Sequence, residues 1–111
     1  KSDRMVRKTA VINELKRFGS KLKEGIEAER IILFGSYARG KSDKDSDIDI
    51  IIVSQAFRGI PFFKRSQGLR EKFSLHLPMD IICLTPQEFE RKKKEISIIA
   101  EAVREGRNIL L

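Results

Sequence analysis

RIILFGSYARGKSDKDSDIDIIIVS, residues 30–54, is two apolar runs joined by a turn and a charged loop. The first run, RIILF at 30–34, has the length and isoleucine content of a buried strand and stops at Gly35, where a turn begins. The second, DIDIIIVS at 47–54, opens with alternation and finishes as a continuous apolar run, the pattern of a central strand covered on both faces. Between them SYARG is too short and polar for a strand. Ser36 suits the N-cap of a brief helix closed by Gly40, and KSDKDS forms the loop.

Upstream, Met5, Ile12, Leu15, Phe18 and Leu22 recur at helical spacing among lysines, arginines and glutamates, which predicts an amphipathic helix over residues 4–24. Downstream, QAFRGIP is a connector punctuated by Gly59 and Pro61. Phe62, Leu69, Phe73 and Leu77 then mark the packed face of a helix over 62–77, and MDIICLT at 79–85 is a third strand. TPQE announces the last helix: Thr85 as N-cap, Pro86 at the first helical position, Glu88 completing a capping box. That helix is expected to reach Arg104, to pack through Phe89, Ile96, Ile99 and Val103, and to stop at Gly106. The alternation of helices and strands predicts one α/β domain over 1–111, a short mixed sheet flanked by helices.

The chain has 111 residues, enough for one modest core. Its apolar runs are far shorter than the ~20 residues of a membrane-spanning helix, so the expectation is a cytoplasmic protein with no membrane partner. Cys83 is the one cysteine and His76 the one histidine, which argues against a zinc site; Cys83 reads as a buried hydrophobe and His76 as an ordinary histidine. Acid–base chemistry is therefore left to carboxylates. The net charge of +7 favours polyanions such as nucleotides, RNA or an acidic protein, while the run Arg91–Lys94 reads as a solvated helix face.

On a strand, Asp47 and Asp49 project to one side while Ile48 and Ile50 face the other. Two such carboxylates repel unless a cation lies between them, and oxygen-only donors suit Mg²⁺ or Mn²⁺. Asp80, near the start of the third strand, adds a third carboxylate if that strand lies beside the second. Three would hold two metal ions ~4 Å apart for in-line displacement at phosphorus. Gly35 allows close backbone approach, Ser36 offers a hydroxyl and an amide to phosphate, and Arg39 can add a charge-assisted contact to the outer phosphates. Each piece alone also has a structural reading, the aspartates as caps or gatekeepers and Asp80 as a turn former after Pro78. Their occurrence together, in this order, favours the chemistry.

GSYARGKSDKDSDIDI resembles the signature of the DNA polymerase beta-like nucleotidyltransferase superfamily, a Gly-Ser followed about a dozen residues later by Asp-x-Asp between apolar residues, and MDIIC resembles its third-carboxylate strand. Length and element order are similar to the minimal nucleotidyltransferases (MNT), over nearly the whole chain. The resemblance implies the polymerase beta-like fold and transfer of NMP from an NTP, with ATP the subgroup's choice and pyrophosphate released. Gly35 and Ser36 would then hold the triphosphate, Asp47 and Asp49 would ligate two Mg²⁺ ions, and Asp80 would ligate the catalytic one and help activate a hydroxyl. It further implies a HEPN-domain partner that supplies the missing wall of the site, with the chain as antitoxin of the pair in a homo- or hetero-oligomer. Two alternatives stand beside this reading. One is a non-catalytic module that neutralises its partner by binding, and the other is an RNA-directed nucleotidyltransferase. Nucleic acid is disfavoured because aromatics are 7% of residues and tryptophan is absent.

Overall fold

The computed structural model describes residues 2–35, 48–73, 79–95 and 97–109, and side chains from residue 10 onward. Helix α1 spans Ser2–Ile26, and Leu15, Phe18 and Leu22 form its buried stripe, as their spacing predicts. Strands β1 (Arg30–Phe34), β2 (Ile48–Val53) and β3 (Met79–Leu84) fall where the apolar runs lie. A two-residue strand β4 (Arg107–Asn108) completes a sheet of order β3-β2-β1-β4, which the sequence reading missed. β1 runs antiparallel to β2 and β4, and β2 runs parallel to β3, so the sheet is mixed. The crossover from β2 to β3 carries a 3-10 turn at Gln55–Phe57, capped by the Ser54 side chain, and helix α2 (Phe62–Lys72). The brief helix expected at 36–40 lies outside the described residues, as do Leu77 and His76.

The sheet has two unequal faces. Ile31, Leu33, Ile48, Ile50, Ile52, Met79 and Cys83 point to one side, against α1 and Leu69 of α2. Ile32, Phe34, Ile51, Val53 and Leu84 point to the other, against Phe89 and against Ile99 and Ala102. Cys83 is the buried hydrophobe its context suggests, and burial pushes its thiol pKa up to about 12.

Two expectations need correction. The helix starting at Thr85 has its capping box and its proline at the first position, yet it is α3, Pro86–Lys92, and ends there. A new helix, α4, starts at Ile98 under a Ser97 cap and runs to Glu105, with Gly106 as its C-cap. Within α4 Ala102 rather than Val103 packs on the sheet beside Ile99, and Val103 is 42% exposed. Likewise Phe62 does not pack: it is 55% exposed, while Leu69 carries the burial of α2. Among the described residues no helix is long and apolar enough to cross a membrane.

The junction of α2, β3 and α3 is held by one buried guanidinium. Arg65 donates from Nε to the Ile60 carbonyl at 2.9 Å, from Nη1 to the Cys83 carbonyl at 3.1 Å, and to both oxygens of Glu88. Glu88 Oε1 also accepts the Thr85 amide, so the capping carboxylate serves both the helix terminus and the arginine. Arg70 donates to the Met79 carbonyl. Alternation along β3 turns the carbonyls of Met79 and Cys83 away from β2. The two arginines therefore occupy hydrogen-bonding positions along the outer edge of the sheet.

Candidate active site

The register of the sheet decides the site. Phe34 of β1 pairs with Asp49 of β2, and Asp49 pairs in turn with Asp80 of β3. All three lie on the face covered by α3 and α4, in the row nearest the end of β1. The next row is Ile32, Ile51 and Ile82, and the one beyond is Arg30, Val53 and Leu84. The two aspartates thus adjoin an apolar middle row at one end of the face. Neighbouring strands lie about 4.8 Å apart, so Asp49 and Asp80 leave the same face of the sheet from adjacent positions.

Gly35 explains why the turn can sit so close to this pair. Its backbone has φ +74°, in the left-handed region, and a β-carbon there would run into Oδ2 of Asp49. The stop residue of β1 is thus packed onto the first carboxylate. A cavity of about 160 Å³ opens at this point, lined by Phe34, Gly35, Asp49, Ile98, Ala102 and two more carboxylates, Glu101 and Glu105. The glutamates are one turn apart on α4 and share a face. No motif in the sequence singles them out; their i, i+4 spacing is the available signal. Asp49 is half-buried and Asp80 is exposed.

Of the residues singled out from sequence, Gly35, Asp49 and Asp80 are brought together. Ser36, Arg39 and Asp47 lie outside the described residues. Among the described residues no cluster of three His, Cys, Asp or Glu side chains is close enough to hold a metal ion by itself. The described donors are two carboxylates on adjacent strands of one face, an all-oxygen set of the kind that fits Mg²⁺ or Mn²⁺ when substrate or further ligands complete the shell.

Two proteins of Methanocaldococcus jannaschii, each named "putative protein adenylyltransferase", are similar to this chain. One is 40% identical over 60 residues, 53% of this chain and 56% of its own length. The other is 45% identical over 38 residues, 34% of this chain and 44% of its own length. The chain thus spans about half the length of the curated relatives it matches. A crystal structure described as that of a "putative nucleotidyltransferase from Sulfolobus solfataricus" superposes with a TM-score of 0.68 at 22% identity, covering 95% of this chain and 84% of that one. A second, of a toxin-antitoxin with AMP-PNP, gives a TM-score of 0.52 at 22% identity, covering 88% of this chain and 71% of that one. Both likenesses bear on the fold. The family model described as the nucleotidyltransferase domain matches residues 12–105, a span holding the strands that align Asp49 with Asp80 and the helices that flank them, and the chain belongs to that family.

Proposed function

We propose that the protein transfers AMP from ATP to a hydroxyl on another protein, using Mg²⁺ or Mn²⁺ at Asp49 and Asp80, and that a HEPN-domain toxin is its acceptor and partner. The observation that carries this reading is the pairing of Asp49 with Asp80 in register on parallel strands, with Gly35 packed on Asp49. The name carried by the two Methanocaldococcus relatives supports a protein acceptor and adenylyl transfer. The toxin-antitoxin neighbour suggests the partner class.

The chain's residues divide the work. Gly35 lets the turn approach the phosphates, and Ser36 would donate its amide and hydroxyl to them. Arg39 would hold the outer phosphates, while Asp47 would add a carboxylate to the pair. Bound between the carboxylates, divalent cations would neutralise the triphosphate and lower the pKa of the acceptor hydroxyl. Asp80, the more exposed of the pair, faces the acceptor and takes its proton. The acceptor oxygen forms its bond to the α-phosphorus. The bond from that phosphorus to the bridging oxygen breaks, and pyrophosphate leaves with the electron pair.

The test is mass spectrometry of proteins from the source organism after incubation with the protein, ATP and Mg²⁺. One AMP added to a hydroxyl side chain of a discrete protein is expected, absent with Asp49→Asn/Asp80→Asn. No such adduct from a folded, partner-bound protein would turn the account toward the second reading, a binding-only antitoxin. The exposed apolar residues Ile60, Phe62 and Phe63 favour that second reading because they offer a surface that a partner can cover without any transfer taking place.

A further inference from the structure

Asp80 is the first of three β3 residues that share one face. Ile82 and Leu84 follow it, and they floor a groove of about 410 Å³ walled by Phe62 of α2 and Ile98 of α4, with Arg91 and Lys92 of α3 on the rim. Ile98 also lines the cavity that holds Asp49 and Gly35, so groove and candidate active site are continuous. The walls are exposed to a degree unusual for their type: Phe62 is 55% and Ile98 57% accessible.

We propose that this groove seats the acceptor: a polypeptide segment with an apolar anchor flanked by acidic residues, laid along β3 so that its hydroxyl residue reaches Asp80. The inference rests on the adenylyl-transfer reading above and adds the chemistry of the segment that is recognised. Three observations select this occupant. The apolar surface continues past Phe62 to its chain neighbours Phe63, 74% exposed, and Ile60, 39% exposed, which is more than one nucleobase would cover. The rim charge is positive, and among the described residues no ion pair or hydrogen bond engages the side chains of Arg91 and Lys92. Among the described residues lining the groove the one acid is Glu88, which is already bound by Arg65 and by the Thr85 amide. Acidic flanks therefore complement the rim. Finally, Arg70 and Arg65 occupy the outward carbonyls of Met79 and Cys83, so the segment docks through side chains on the sheet face rather than by adding a strand at those positions. Two residues of strand span about 6.6 Å, which places the acceptor hydroxyl two or three residues from the anchor that covers Ile82.

The experiment is fluorescence anisotropy of the purified protein with two labelled peptides, EEFLDYEE and KKFLKYKK, together with AMP-PNP titrations of each variant. The acidic peptide is expected to bind about tenfold more tightly than the basic one, and Phe62→Ala or Arg91→Glu/Lys92→Glu to weaken it about tenfold or more, with folding checked by circular dichroism. Equal affinity for the two peptides, or variants that bind as wild type does, would overturn the proposal. So would loss of AMP-PNP affinity in Phe62→Ala, which would assign the groove to the nucleotide. A wild-type dimer in sedimentation that Phe62→Ala dissolves would assign it to a second copy and overturn it as well. Peptide affinity is read without turnover. Selective binding of the acidic peptide by a protein that transfers no AMP would support the groove and sink the reaction; undiminished transfer to a protein hydroxyl by Phe62→Ala would do the reverse.

Discussion

A β-carbon at Gly35 would collide with Oδ2 of Asp49, which ties the conformation of the turn to the position of the first carboxylate. Gly35→Ala is expected to cost roughly 1–2 kcal/mol from the left-handed backbone alone. The carboxylate must also rotate away, so transfer should fall by more than the lost stability accounts for. Parallel melting curves and transfer rates check this; a variant that loses stability but keeps full activity would separate the turn from the site.

The Asp49–Asp80 pair predicts a cation-dependent gain in stability. A site saturated a hundredfold beyond its dissociation constant stabilises by about 2.7 kcal/mol, so Mg²⁺ with AMP-PNP should raise the melting temperature of the wild type. Asp80→Asn should abolish most of that rise. Equal shifts in wild type and variant would remove Asp80 from the cation site.

Arg65 and Glu88 predict an acid-labile joint. The Arg65 hydrogen bond holds the Glu88 carboxyl below its usual range, ahead of the opposing effect of partial burial. A carboxylate with a depressed folded pKa contributes stability that is present above its unfolded pKa of about 4.5 and is lost as pH falls through the lower folded value. The wild type should therefore lose more stability below that pH than Glu88→Gln does. Arg65→Met should cost roughly 3 kcal/mol at neutral pH, because it strands Glu88 and frees the Cys83 carbonyl. Denaturant titrations across pH measure both.

Gly106 predicts a steric requirement without backbone strain. Its φ of −79° suits any residue, but an added β-carbon would press on the Ala102 carbonyl, Ile32 and the Leu33 carbonyl. Gly106→Ala should push α4 off β1 at a cost of about 1–3 kcal/mol and displace the cavity wall formed by Glu101 and Glu105. An unchanged melting temperature would mean that α4 is not seated so closely.

Cys83 should resist thiol reagents at neutral pH in the folded state, since burial raises its pKa to about 12, and should react at once on unfolding. Labelling of the native protein at the rate of a free thiol would contradict its burial.

Much of this architecture can be read from local chemistry. β1 ends where Gly35 interrupts an isoleucine run, and α3 begins where Thr85, Pro86 and Glu88 satisfy the free amides of a helix start. The pairing of Asp49 with Asp80 could be foreseen only conditionally, because adjacency of β2 and β3 is a tertiary fact. What escaped the reading has physical causes. The stretch between Phe89 and Ile99 keeps helical apolar spacing, so the break after Lys92 is visible only in Ser97, whose side chain caps α4. β4 is two residues long and exists because β1 offers an unpaired edge, with the Ile109 amide bonding to Ile31. Nothing in the local sequence marks Arg65 for burial; only the meeting of α2, β3 and α3 buries it.

The most direct test of the account is transfer from ATP labelled on either the α- or the γ-phosphate, with Mg²⁺, to the partner protein. Comparing wild type with Asp49→Asn and Asp80→Asn isolates the role of the paired strands. The account predicts retained α-label, no retained γ-label, and a loss of about a hundredfold or more in each variant. Retained γ-label would mean phosphoryl rather than adenylyl transfer. Undiminished α-label in either variant would contradict the role assigned to the paired aspartates.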